Sequence, residues 1–355
     1  MLDIKVTLSD HLKAKPADES ALGFGRIFTD HMFLMDYEAG RGWHDARIVP
    51  YGSFAIDPAA MVLHYGQAIF EGTKCYRRAD GGLQLFRPGD NLARMSRSAE
   101  RMCMPKLDEE TALEGMKQLI RVDADWVPHK EGTSLYIRPT MISMDVGLGV
   151  HASKKYLFFI ILSPVGAYYK EGLKPVSIYV EDEYVRAVRG GVGFTKCAGN
   201  YAASILAGDI AEQKGYSQVL WLDGVEQKYV EEVGSMNMMF AYGNKIVTPR
   251  LNGSILPGIT RDSVLKLAKQ LGYEAEEARL DINEIFADAK SGKLTEAFGT
   301  GTAAVISPVG TLALKDEKVV LGDGGIGKIS QKLYDTLTGI QYGRLPDENG
   351  WIVKL

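Results

Sequence analysis

The sequence predicts a two-domain protein of mixed α/β (α+β) type, and three observations lead there. At 355 residues the chain exceeds what one hydrophobic core usually supports, so two domains, or one domain with a large extension, are expected. Runs rich in β-branched and aromatic residues alternate with segments of helical periodicity. Asp223-Gly224, a turn signal directly after the apolar run 218–222, sends the chain back antiparallel, which calls for hairpins and mixed sheets.

In the first half, residues 61–70 and 82–86 read as strands and 88–101 and 108–122 as helices. The run YLFFIIL at 156–162 is a buried strand ended by Ser163-Pro-Val-Gly166. Gly, His, Ser, Pro and Lys residues surround that strand, which places the boundary there: one domain over 1–165, a linker over 166–174 and a second domain over 175–355. In the second domain, 176–180 alternates like a strand. Asn200 caps a helix reaching about Lys214, where Gly215 stops it. Thr260 opens a helix through Leu271, with Val264, Leu267, Ala268 and Leu271 on one face, and Asp281 with Glu284 makes a capping-box-like start for another.

Composition excludes several classes. With 46% hydrophobic and 24% charged residues and a net charge of -4, the chain has no basic field for a phosphodiester backbone, so no nucleic-acid partner is expected. The first twenty residues lack an apolar core and the longest apolar run is too short to span a bilayer, so a cytoplasmic protein without a membrane partner is expected. Cys75, Cys103 and Cys197 form no CxxC pair, and the six histidines show no HExxH; neither a disulfide framework nor a metal site is expected.

Glycine-rich stretches let backbone amides approach an anion. GLGVHA at 147–152 formally matches GxGxxA, but it precedes a strand and reads as a linker; no GxxxxGK[ST] is present. LPGITR at 256–261 puts a tight turn at a helix start, and FGTGTA at 298–303 adds hydroxyls after a short strand. GGVGFTKCAGN at 190–200 sets Lys196 among four glycines between a strand and a helix. On local grounds alone this loop reads as a flexible connector with a solvated lysine rather than as a reactive site.

Taken in order, FTDHM (28–32), LHYGQAIFEG (63–72), LFRP (85–88), SLYIRP (134–139), SPVG (163–166), GGVGFTKCAGNYAAS (190–204), EVGSMN (232–237), LPGITR (256–261) and QYG (341–343) resemble the signature series of branched-chain amino acid aminotransferases. The resemblance spans nearly the whole chain. It implies pyridoxal-phosphate fold type IV, with a smaller N-terminal α/β domain and a larger C-terminal mixed-β domain with helices. It also implies pyridoxal 5'-phosphate as cofactor and reversible transamination of leucine, isoleucine and valine with 2-oxoglutarate.

By this resemblance Lys196 is the catalytic Schiff-base lysine. An amine can hold the aldehyde, be displaced by an amino acid and shuttle a proton. The resemblance further implies Glu232 at the pyridine nitrogen, Tyr201 at the phenolic oxygen, and Arg94, Ile259, Thr260 and Thr302 around the phosphate. Phe24, Tyr65, Phe70 and Tyr136 become the aromatic pocket, Arg138 the contact for the distal carboxylate of glutamate, and Ala303 part of the α-carboxylate site. Arg87, Arg97 and Arg101 are neighbouring alternatives to Arg94. Partners are small amino acids and 2-oxo acids, and a homodimer is implied, with Leu148-Gly-Val150 matching the loop offered to the neighbour. Where mammalian members carry a redox CxxC, this chain has Ala304 and Ser307, so thiol regulation of that kind is not expected.

Two alternatives stay open at this stage. A D-amino acid aminotransferase or aminodeoxychorismate lyase shares the lysine, the glutamate and the phosphate cup, but usually lacks the LYIRP and QYG pieces. A cofactor-free Schiff-base aldolase needs Lys196 alone.

Overall fold

A computed structural model describes residues 1–166 and 173–355, so most of the expected linker lies outside the described residues. The chain divides into two compact units. The first holds Met1–Lys170 together with Thr195–Ala198 and Ile340–Leu355, and the second holds Glu171–Phe194 and Gly199–Gly339. Sequence alone put both returning segments in the second domain. They belong to the first because Cys197 bridges to Ile69 and the C-terminal strand pairs with Leu83–Phe86.

The first unit contains β1 (Lys5–Val6), β2 (His31–Glu38), β3 (Gly42–Pro50), α1 (Met61–Tyr65), β4 (Ala68–Phe70), β5 (Thr73–Arg77), β6 (Leu83–Phe86), α2 (Pro88–Arg101), α3 (Glu109–Val122), β7 (Ser134–Ser143) and β8 (Lys155–Val165). The remaining elements in chain order are β9 (Val176–Val180), α4 (Ala198–Ala202), α5 (Ile205–Gln213), β10 (Gln218–Leu222), β11 (Val230–Val233), β12 (Met236–Tyr242), β13 (Lys245–Pro249), α6 (Ile259–Gln270), β14 (Glu274–Ala278), α7 (Ile282–Lys290), β15 (Glu296–Gly301), β16 (Val305–Leu314), β17 (Glu317–Val320), α8 (Lys328–Gln341) and β18 (Ile352–Lys354).

The sheet of the first unit runs β1-β3-β2-β8-β7-β5-β6-β18, with β4 added on β7. Its centre is buried on both faces, as the alternation of β2 requires. Met32 and Leu34 join Ile142 and Leu157 on one face, while Phe33 and Met35 alternate onto the other, where Phe33 meets Phe158 edge-on at 6.2 Å. Helix α3 comes so close there that it needs a glycine: a Cβ on Gly115 would lie 2.4 Å from the Phe33 ring. The sheet of the second unit runs β11-β10-β9-β16-β15-β12-β13-β14. Because β11 also pairs with β12, six of these strands close on themselves. Trp221 is fully buried against α5 with Ala207, Ala211 and Val219, and its indole N–H donates to Gly234 at 2.9 Å.

Three sequence expectations need correction. Residues 61–70 are not one strand: α1 occupies the first half, Gly66 ends it at φ +61, and only Ala68–Phe70 pairs with β7. Short apolar runs do not separate helix from strand by periodicity. The helix expected over 200–214 is two helices; Asn200 lies inside α4 and donates to Val192 O, while the Ser204 hydroxyl donates to Tyr201 O at the break. Strand β8 runs on through Ser163-Pro-Val165, opposite Ser134–Tyr136. Its pairing with β2 has already ended at Ile160, so Pro164 needs no ladder donor on that side.

The Phe33 contact yields a prediction. Gly115→Ala should lower stability by about 1–3 kcal/mol through overpacking, which outweighs a helix-propensity gain of about 1 kcal/mol. A urea midpoint equal to or above that of the parent would contradict the close approach.

Candidate active site

Within the first unit, the backbone at Lys196 is held from two sides. Its amide donates to Ser98 Oγ on α2 at 3.1 Å, and its carbonyl accepts from the Phe70 N–H on β4 at 3.0 Å. One turn before Ser98, on the same face of α2, stands Arg94. Its guanidinium forks onto Glu71, with Nε to Oε1 at 2.7 Å and Nη2 to Oε2 at 2.8 Å. Glu71 is completely buried and accepts further bonds from Asn91 Nδ2 at 2.9 Å and the Gly72 amide at 3.2 Å. Burial opposes its ionisation, yet Arg94, Lys196 and Asn91 together hold the carboxyl below the usual carboxylate range.

The Lys196 amine responds in the opposite way. Desolvation lowers it from 10.5 to about 8, the charge of Arg94 acting in the same direction while Glu71 opposes both. Its Nζ lies 5.1 Å from the centre of the Phe70 ring, over which Arg138 Cζ also sits at 4.7 Å. Arg138 reaches Tyr136 as well, 5.3 Å from ring centre, and Tyr136 meets Phe24 edge-on at 4.9 Å. Gly72 makes this possible, since a Cβ there would stand 2.0 Å from the Tyr136 hydroxyl. Arg138 Nε is buried with no hydrogen-bond partner among the described residues, the state of a donor that awaits an acceptor. Chemically, this is a cluster of aromatic rings around one nucleophilic amine, with two guanidiniums, Arg94 and Arg138, acting on it.

The second unit presents its own cluster. Glu232 on β11 is buried; Arg186 Nη1 lies 2.6 Å from its Oε2, and Asn237 Nδ2 donates to its Oε1 at 3.1 Å. Asn237 also donates to Leu256 O at 2.9 Å. Its Oδ1 packs on Gly258, where a Cβ would be 2.0 Å away. Gly258 is the N-cap of α6, and a glycine cap brings no side chain of its own to the first-turn amides of Ile259 and Thr260. Thr302 and Ala303 form the turn between β15 and β16, which ends on Val305 at φ +63. A β-branched residue in that region stores strain of about 1–3 kcal/mol, a feature that clusters at functional sites. Thr300 Oγ1 beside this turn is buried and has no hydrogen-bond partner among the described residues. Tyr201 is half-buried on α4.

The first unit thus brings together Lys196, Arg94, Phe70, Tyr136, Arg138 and Phe24 in one connected set of contacts. Tyr65 does not join that set by any contact described: it is 41% exposed, and its hydroxyl donates to Leu148 O. In the second unit Asn237 links Glu232 to the chain leading into Ile259 and Thr260. Arg87, an alternative to Arg94, pairs with Asp90 at 2.7 Å and lies over Trp351. Sequence reasoning missed Glu71, Asn91, Ser98, Arg186 and Asn237. Glu71 had a signal: a carboxylate inside an otherwise apolar, strand-forming stretch must have a partner.

Removing that carboxylate should be costly. Glu71→Gln leaves Arg94 buried without its counter-charge and should destabilise the protein by about 3–5 kcal/mol. It also removes the anion that raises the Lys196 amine, whose midpoint should fall below about 8. Unchanged denaturant unfolding would contradict this reading of the pair.

Comparison with known proteins places the chain. The model of the family described as "Amino-transferase class IV" matches residues 68–312. A "Probable branched-chain-amino-acid aminotransferase" of Staphylococcus aureus (strain N315) is 59% identical over 351 residues, covering 99% of this chain and 98% of the relative. "Branched-chain-amino-acid aminotransferase 2" of Bacillus subtilis (strain 168) is 57% identical over 352 residues, covering 99% and 97%. Among solved structures, the branched-chain amino acid aminotransferase of Escherichia coli superposes with a TM-score of 0.74 at 28% identity, covering 91% of this chain and 98% of that one. A T.th. branched-chain amino acid aminotransferase with pyridoxamine 5'-phosphate gives a TM-score of 0.75 at 27% identity, covering 90% and 97%. The identity over almost the full length, together with the class IV match, means that the chain belongs to the branched-chain-amino-acid aminotransferases of the class IV amino-transferase family.

Proposed function

We propose that the protein transfers an amino group reversibly between leucine, isoleucine or valine and 2-oxoglutarate, in two half-reactions, with pyridoxal 5'-phosphate bound through Lys196. The observation that carries this reading is the Lys196 amine, desolvated to about 8 beside the Glu71–Arg94 pair. An ordinary lysine is almost entirely protonated near neutral pH; this one has a useful fraction of free amine. The residues present fit the cofactor: a reactive amine, a buried arginine, a glycine-capped helix start and an unpartnered Thr300 hydroxyl. When bound, the cofactor supplies an aldehyde and a ring that delocalises the electrons released at the substrate Cα.

The chain's own groups then have distinct tasks. Lys196 would hold the cofactor through its aldehyde carbon and, as a free amine, would carry the proton at the substrate Cα. Arg94, fixed by Glu71, would hold the phosphate, as would the Ile259 and Thr260 amides and the Thr302 hydroxyl. Glu232 would keep the ring nitrogen protonated, and the Tyr201 hydroxyl would meet the phenolic oxygen. Phe24, Phe70 and Tyr136 would exclude water around an aliphatic side chain. Arg138 serves the other substrate, its unpartnered Nε and stacked guanidinium being suited to the distal carboxylate of glutamate. Amides near Thr302 and Ala303 would take the α-carboxylate; the resemblance adds the Tyr65 hydroxyl, which here donates to Leu148 O. A cytoplasmic homodimer is part of the same proposal; it rests on the resemblance.

The test is spectroscopic. Leucine added to the cofactor-loaded protein should deplete the visible cofactor band, and 2-oxoglutarate should restore it. A band that ignores leucine and responds to D-alanine would overturn the substrate assignment. A purified protein that stays colourless in pyridoxal 5'-phosphate would overturn the cofactor assignment. Lys196→Ala should abolish multiple-turnover transfer, and turnover at the parental rate in that variant would sink the mechanism.

A further inference from the structure

Buried arginine beside a buried carboxylate occurs twice among the described residues, and only the first instance is absorbed by the reading above. The second is Arg186 with Glu232, both side chains less than one-tenth exposed, at 2.6 Å. Arg186 is more than a counter-ion. Nη1 donates to Ser254 O at 3.0 Å and Gly193 O at 3.4 Å, and Nη2 to Gly193 O at 3.3 Å. The place is built for this contact: a Cβ on Gly193 would fall 2.1 Å from Ser254 O. Glu232 is fixed from its other oxygen by Asn237, so the carboxylate is held between a cation and an amide.

We propose that Arg186 is a positioning residue that keeps Glu232 in its ionised form and in a fixed orientation, and thereby governs protonation of the cofactor's ring nitrogen. This rests on the assignment of Glu232 to that nitrogen. The physical argument is direct. A carboxylate withdrawn from water is disfavoured as the anion unless a cation or donors compensate, and Arg186 with Asn237 supplies both. Removing the guanidinium withdraws the counter-charge that favours the anion, and a neutral carboxylic acid holds a pyridinium far less strongly than a carboxylate does. The fork also joins the loop before Lys196 in sequence to the segment before Gly258, so one side chain sets the carboxylate and pins two backbone carbonyls.

The readout is the ring nitrogen itself. Protein loaded with pyridoxal 5'-phosphate labelled with 15N in the ring should give a pyridinium-type 15N shift in the parent. In Arg186→Met it should move most of the way toward the unprotonated position. Arg186→Gln keeps a polar side chain but carries no charge; it should move the signal like Met, which keeps the test alive if the Met variant does not fold. Arg186→Lys, which keeps the charge, should leave the signal near that of the parent. A pyridinium shift retained in both neutral variants, or a Lys variant displaced as far as they are, would overturn the proposal. Glu232→Gln separates the two layers: if its 15N signal matches the parent, the assignment of Glu232 is at fault; if it moves while the neutral Arg186 variants do not, the fault is with Arg186 alone.

Discussion

Arg94 and Glu71 cannot be separated without leaving a bare charge in the interior, and the arrangement around Lys196 depends on that constraint. The fork of two short bonds, with Asn91 and the Gly72 amide completing the carboxylate, fixes α2 against the end of β4. Once α2 is fixed, Ser98 is in place for the Lys196 amide, while the Phe70 N–H takes its carbonyl. Lysine chemistry therefore rests on a buried ion pair whose charges act on the lysine amine in opposite directions. A buried pair is weak evidence for stability taken by itself. Here its value is positional: it delivers an arginine whose direction is set before any ligand arrives, which lowers the ordering cost of binding an anion.

The same design recurs in the second unit with different parts. Glu232 is enclosed by Arg186 and Asn237, and Asn237 reaches on to Leu256 O and the Cα of Gly258 at the start of α6. In both units a carboxylate, a guanidinium and a side-chain amide form the support, and a glycine marks where backbone and side chain come closest. Strain adds to this at Val305, whose left-handed backbone is tolerated beside the Thr302–Ala303 turn.

Much of this was legible in the sequence, for reasons that differ by element. Helix α2 came out with its observed bounds because Pro88 opens it and its apolar face is regular. Strands β9 and β10 did as well, being short β-branched runs between turn signals. Residues 61–70 failed because a capping glycine inside an apolar run looks like any other strand glycine. Asn200 failed because a good cap residue was engaged sideways by Val192 O. At the site, Lys196 was visible only through its ordered motif company. Glu71, Arg186 and Asn237 lie within or beside those motifs, but they act on other side chains, and a pairing between residues 23 or 46 positions apart is written in the fold and nowhere in local sequence.

The central claim is that Lys196 is an amine made reactive by desolvation and by its charged neighbours. The most direct measurement is the pH dependence of covalent capture of pyridoxal 5'-phosphate by the cofactor-free protein. A lysine lowered from 10.5 to about 8 loses its proton as pH rises through about 8, so the capture rate should reach half its plateau near there and level off above. Capture that climbs only toward 10.5, or that persists unchanged when Lys196 is alanine, would contradict the account.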